Sequence, residues 1–301
     1  MSIHAHASAV VSRRAFLAGA ALLSLAGCSA ERFAEQHVGE KGAAFAAADG
    51  CILNGYSWNE LADISQQIAG APDDEAARMI ASEAGLLSDD GLIDVSQQKY
   101  LELSDGTPSA VRLIGMRSDI LAGGGISGLT FQFSYALAER GVTEDSLLDG
   151  GWADCSLRTW LNGAALELLP DDLASVLRAV EKQTVCELGK KPRKTTDVLW
   201  LLSESELAGS EYLLAHYADA EGMQGEGSPY QLFSQASASQ PLADAAFKRM
   251  DGPTGSWICW WERTLAADGS TYVYRSYGGS HSEDIAYSPN FALGVAPGFC
   301  L

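Results

Sequence analysis

Near residue 105 the hydrophobic pattern of this 301-residue chain changes period, and that change excludes all-helical and all-strand folds. Before it, Ser57-Trp58-Asn59-Glu60 has capping-box spacing, and Leu61, Ile64 and Ile68 recur at helical intervals until Gly70-Ala71-Pro72. A second helix follows. Asp73, Asp74 and Glu75 suit its positive end, and Ala76, Met79, Ile80 and Ala84 are expected on its inner face before Gly85. Past the turn Asp105-Gly106-Thr107-Pro108, Val111-Arg112-Leu113-Ile114 and Leu129-Thr130-Phe131-Gln132-Phe133 alternate or run apolar over strand lengths.

Helical spacing then returns. Ser156 opens one helix with Leu157, Trp160 and Leu161 on a side, and Pro170-Asp171-Asp172 opens another expected to carry Leu173, Val176, Leu177 and Val180. Val198 to Leu202 is an apolar run of buried-strand length, after which Ser203-Glu204-Ser205-Glu206 offers a capping box. Residues 210 to 253 read as loop. Strand-like segments close the chain at Trp257 to Trp261, Thr271 to Tyr277 and Phe291 to Val295. With 47% hydrophobic residues there is enough apolar side chain for a proper core, and the fold class expected is α+β.

The first thirty residues read as an address rather than as structure. Arg13-Arg14-Ala15-Phe16-Leu17 precedes an apolar stretch too short to span a bilayer stably, so residues 1–27 are expected to be a signal peptide. The arginine pair resembles the twin-arginine export signal, and Leu25-Ala26-Gly27-Cys28 resembles the lipobox of bacterial lipoproteins. That resemblance implies cleavage before Cys28, lipid on its thiol, and a membrane partner outside the cytoplasm. Residues 28–55 are then a tether, 56–105 a helical lead-in and 106–301 the main domain.

Charge and cysteine usage exclude several function classes. Without residues 1–27, which hold Arg13 and Arg14 and no acid, 18 basic residues face 39 acidic ones, a charge of -21. A field of that sign repels nucleic acid, and no basic stripe interrupts it. Apart from Cys28, the cysteines are Cys51, Cys155, Cys186, Cys259 and Cys300, with neither CxxC spacing nor a histidine pattern to hold zinc. They read as small buried hydrophobes, with one or two bridges left open. Gly123-Gly124-Gly125 lacks the order of a phosphate-binding loop. No metal or other cofactor is expected, and no catalytic residue is assigned.

The run Gly255-Ser256-Trp257-Ile258-Cys259-Trp260-Trp261-Glu262-Arg263-Thr264 is the densest aromatic stretch. Read as one strand, it sends Trp257, Cys259 and Trp261 to one side and Ile258, Trp260 and Glu262 to the other, inside a core. Arg263 is expected at the rim of that core, paired with Asp197 or an acid near Glu262, since a buried guanidinium demands a carboxylate or carbonyl.

Several motifs occur in one order: Arg112-Leu113-Ile114-Gly115, Gly150-Gly151-Trp152 with Ser156 to Asn162, Leu199 to Ser203, Trp260 to Arg263, and Gly294 to Cys300. That order resembles the domain of unknown function 6273 family over roughly residues 56 to 301, with Thr264 where the family pattern has Ser. The resemblance implies a C-type-lectin-like layout with long irregular loops, and it supplies a fold more than an activity. On that fold the sequence favours an extracytoplasmic binding module for a glycan or protein. Tyr272, Tyr274, Arg275, Tyr277 and His281 are the candidate contact residues, because aromatic and arginine side chains are the usual anchors of recognition surfaces. Two alternatives stay open. One is an oxidase resembling formylglycine-generating enzymes, which would need Cys259 to meet a second thiol such as Cys300 around copper; the other is a structural cell-envelope protein.

Overall fold

A computed structural model describes residues 51–145, 148–187, 190–207, 223–235, 248–250, 255–265, 272–275 and 284–301, the segments 223–224, 272–275 and 284–287 as backbone. Helices and mainly antiparallel sheets alternate along it, so the class is α+β. Arg13, Arg14, Cys28, Tyr277 and His281 lie outside the described residues.

The chain begins its fold slightly before the expected tether ends. Helix Ile52–Gly55 buries Leu53, and Cys51 is buried beside it. Helix Trp58–Gly70 starts on the capping box seen in the sequence: the Glu60 amide donates to Ser57 Oγ, and the Ser57 amide donates to Glu60 Oε2 at 2.7 Å. Asp73 caps helix Asp74–Glu83 by accepting from the Ala76 amide at 2.8 Å. That second helix buries Ala77 and Ala81, whereas Met79 is 60% exposed. The expected face was therefore rotated. Small alanines let the two packed helices approach closely, and the larger Ile80 only reaches the edge of the contact.

Strands β1 (Lys99–Glu102), β2 (Pro108–Met116), β3 (Ile120–Leu121), β4 (Leu129–Phe133) and β5 (Ala138–Arg140) follow. β1 and β2 pair antiparallel across Asp105-Gly106, so the boundary expected between lead-in and domain falls in the turn of a hairpin. The lead-in is part of the main core. Trp58 meets Phe131 and Phe299 edge-on, each at 6.1 Å between ring centroids. Gly128 lets the same helix come in: a Cβ there would lie 1.8 Å from the Ser65 carbonyl oxygen.

Strands β6 (Val180–Thr184), β7 (Arg193–Asp197), β8 (Lys248–Arg249), β9 (Trp257–Ile258), β10 (Trp260–Leu265), β11 (Tyr272–Arg275), β12 (Asp284–Tyr287), β13 (Leu293–Val295) and β14 (Gly298–Cys300) complete the set. They form sheets in the orders β1-β2-β4-β14, β12-β11-β10-β13-β5, β3-β6-β7 and β8-β9, of which only β10–β13 is a parallel pairing.

Three sequence expectations change here. The helix opened by Pro170 ends at Ala174, because Val180 is taken by β6, opposite Leu121 and Asp197. Leu199 to Leu202 is buried as expected but makes only the isolated bridge Trp200–Gly298 instead of a ladder strand. The tryptophan run is split: β9 pairs with β8, and β10 belongs to the five-stranded sheet. Trp260 and Trp261 are buried, while Trp257 is 41% exposed with the Arg249 guanidinium 3.6 Å from its ring centroid. Core scaffolding is correct for two of the three indoles.

Candidate functional site

The sequence reading placed Arg263 at a rim; the structure buries it completely and makes it one centre of an ion cluster. All five N–H groups of its guanidinium are used by the chain itself. Nε donates to Thr184 Oγ1 at 3.0 Å, and Nη1 donates to the Leu201 carbonyl at 2.9 Å and to Glu206 Oε2. Nη2 donates to Glu206 Oε1 at 3.0 Å and to the Glu226 carbonyl at 2.8 Å. Lys182 is the second centre, and its three donors are likewise spent, on Asp119 Oδ1, on Glu206 Oε1 at 2.8 Å and on the Tyr230 hydroxyl at 2.8 Å.

Glu206 joins the two cations. It sits at the third residue of the capping box predicted at Ser203, accepting from the Ser203 amide at 3.0 Å while its own amide donates to Ser203 Oγ. The local cap thus fixes the carboxylate that the core charges require. Burial alone would raise its pKa, but the charges of Arg263 and Lys182 outweigh that and hold it below the ordinary range. Asp119 behaves alike: burial raises it, and the Lys182 charge with hydrogen bonds from Lys182, Thr130 and Tyr230 brings it down. Burial beside Asp119 and Glu206 pushes the Tyr230 phenol well up, so it stays a neutral donor to Asp119 Oδ1 at 2.9 Å.

Asp197, one of the partners expected for Arg263, is also buried. It instead accepts from Arg158 Nε at 2.6 Å, Thr195 Oγ1 at 2.6 Å, Asn162 Nδ2 at 3.3 Å and Trp152 Nε1 at 3.4 Å. Arg158 was the nearer partner because β7 runs beside the short helices that carry Trp152 and Arg158. Asn162 also donates to the Leu199 carbonyl at 3.0 Å and accepts from the Val198 amide, pinning the extended segment that leads to Trp200.

The five described cysteines are free thiols, four of them buried. Cys300 contacts Thr130 Oγ1 at 3.3 Å and Asp119 Oδ2 at 3.4 Å, and burial with the Asp119 charge pushes its thiol pKa well up. Cys259 lies between β9 and β10, where its carbonyl accepts from the Gly294 amide. A thiol held protonated in the core is the opposite of the exposed thiolate pair that copper requires. Among the described residues no group of three or more His, Cys, Asp and Glu is arranged to hold a metal ion.

Of the candidate contact residues, Tyr272, Tyr274 and Arg275 fall on β11, next to the outermost strand of the five-stranded sheet. Tyr272 stands opposite Tyr287, Tyr274 opposite Ile285 and Arg275 opposite Asp284. Strand alternation therefore puts positions 272, 274, 285 and 287 on one face of the β11–β12 ribbon and 273, 275, 284 and 286 on the other. The tyrosine positions stay together, and position 275 separates from them.

The family model for the domain of unknown function (DUF6273) matches residues 127–301. The chain belongs to this family. No curated protein and no solved structure matches it. The DUF6273 region includes both buried carboxylate clusters apart from Asp119, together with β4 to β14. Of the motif residues, Trp152, Arg158, Asn162, Ser203 and Arg263 take part in these clusters. What the sequence alone missed is Asp119, Lys182, Glu226 and Tyr230, four residues whose surroundings in the sequence carry no motif and whose side-chain partners are 11 to 181 positions away.

Proposed function

We propose that this protein is a lipid-anchored, exported recognition module, its DUF6273 region a C-type-lectin-like scaffold that presents ligand-binding loops outside the cytoplasm. One contrast carries the reading. Every N–H of Lys182 and Arg263 is committed to the chain's own acceptors, whereas Trp257 is turned outward under the flat face of Arg249. Saturated buried charges specify a fold, and an exposed indole–guanidinium pair offers a binding surface. The β11–β12 ribbon, with positions 272 and 274 on one face by register, is the second candidate recognition element. Its ligand is a glycan or an exported protein.

Arg13, Arg14 and Cys28 supply the export and anchoring part of the reading. Replacing Cys28→Ser should move the protein from the membrane fraction to the soluble fraction; retention of the variant in membranes would end the anchoring reading. Recognition is tested separately, by glycan-array and pull-down screening of the chain from residue 29. Binding that weakens in Trp257→Ala or Tyr274→Ala supports it. Binding indifferent to both changes refutes these surfaces, and absence of binding from both screens favours the structural cell-envelope role.

A further inference from the structure

The segment Met223–Gln235 crosses the ion cluster as a strap, with Glu226 and Tyr230 buried against the cluster. Glu226 Oε1 accepts from the Val185 amide at 2.8 Å, and Oε2 accepts from the Thr264 hydroxyl at 2.6 Å. Tyr230 reaches Asp119 and Lys182, and its amide donates to the Glu206 carbonyl at 3.0 Å. Gln231 donates to the Met116 carbonyl at 2.8 Å, and Gln235 accepts from the Ile93 amide at 3.0 Å. Two glycines allow this close seat. A Cβ at Gly115 would stand 2.8 Å from the Tyr230 ring, and one at Gly227 would stand 2.8 Å from Glu206 Cγ.

The charges beneath the strap do not balance when every acid is ionised. Lys182 and Arg263 face three carboxyl groups, those of Asp119, Glu206 and Glu226. Among the three carboxylates, Lys182 bonds Asp119 and Glu206, and Arg263 bonds Glu206 alone. Arg263 gives Glu226 a bond only at the backbone carbonyl, so the Glu226 carboxyl is held by neutral donors alone.

We propose that the strap is a proton-dependent latch: a proton on Glu226 neutralises the cluster and seats Met223–Gln235, and loss of that proton leaves a buried charge that loosens the seat. Burial pushes the Glu226 pKa up to about 7, against the pull of Arg263, Thr264 and the Val185 amide and with the repulsion of Glu206. The other titratable or charged groups around it are Lys182 and Cys186 from the β6 side, Glu204 through the Thr264 hydroxyl that accepts its amide, and Asp119 and Tyr230 deeper in the cluster. The sign follows from the direction of the shift. A carboxyl whose folded pKa is raised favours the seated form below its ordinary value near 4.5, and this advantage is lost as pH rises through about 7.

Hydrogen exchange of the full mature chain, read by mass spectrometry at pH 5.5 and 8 after scaling for intrinsic exchange, tests the latch. Protection of the strap peptides should fall on the order of tenfold with rising pH while β4 stays protected. Glu226→Gln should keep the strap protected at both pH values. Unchanged protection in the wild type, or the same fall in E226Q, overturns the proposal. Should E226Q not fold, Thr264→Val serves instead: removal of a donor to Glu226 should move the midpoint of the loss to higher pH, and an unmoved midpoint overturns the latch equally.

Discussion

Glu206→Gln is the sharpest perturbation of the scaffold, because one carboxylate takes four hydrogen bonds from three buried groups: two from Arg263, one from Lys182 and one from the Ser203 amide. Glutamine keeps the shape but removes the charge and turns an acceptor into an NH2 donor facing other donors. Lys182 retains Asp119, whereas Arg263 keeps only carbonyls and a hydroxyl. Breaking a buried pair in this way costs about 3–5 kcal/mol, against a total stability of about 5–15 kcal/mol for a domain. Urea unfolding followed by tryptophan fluorescence should therefore show a large fall in midpoint at unchanged slope. The control is Asp154→Asn, which breaks the half-exposed pair with Arg193 and should leave the midpoint nearly where it was. A fall for E206Q no larger than for D154N would refute the assignment of Glu206 as the hub. The pH dependence supplies a second check. The Glu206 pKa is lowered, so its contribution is present above the ordinary value of 4.5 and fades as pH falls through the lowered one; the gap between wild type and E206Q should narrow in acid.

Three further outcomes follow from single contacts. Gly128→Ala should destabilise by roughly 1–3 kcal/mol, since its methyl would overlap the Ser65 carbonyl and push helix Trp58–Gly70 off β4; a neutral effect in thermal unfolding would contradict that close approach. Asn162→Ala should cost about 1–3 kcal/mol, because the Leu199 carbonyl and the Val198 amide each lose a buried partner, and chemical denaturation would measure it. Thiol titration of the native chain should label the partly exposed Cys259 well before Cys155, whose thiol burial pushes up to about 12, and before Cys300; simultaneous labelling would mean that the core opens locally.

The parts of this fold legible in the sequence are those set by local rules. Ser57 with Glu60 and Ser203 with Glu206 announced their caps because a cap is an agreement between residues three apart. β2 and β4 could be read because both are buried almost throughout and rich in strand-forming side chains. The misreadings came where a distant partner decided the outcome. Val180 has helical spacing from Val176 but is claimed by strand pairing to Asp197, and Trp257 has strand spacing from Trp261 but pairs with Arg249 instead. For Arg263 the chemistry was right and the address wrong. A buried guanidinium needed a carboxylate, yet nothing local distinguishes Glu206 from Asp197 as the provider. The candidate contact residues Tyr272, Tyr274 and Arg275 read as one cluster in the sequence, but the separation of position 275 from the tyrosine positions depends on register alone.

The two buried carboxylate clusters also show how distant elements of the DUF6273 region are tied together. Asp197 ties β7 to the short helices through Trp152, Arg158 and Asn162, and Glu206 ties β6 to β10 through Lys182 and Arg263. Each partner is chemically specific: lysine in place of Arg263 could not fill five acceptors, and leucine in place of Asn162 could neither donate to Leu199 nor accept from Val198. Every N–H of Lys182 and Arg263 is spent inside the molecule, so this cluster holds elements of the fold together rather than presenting donors outward.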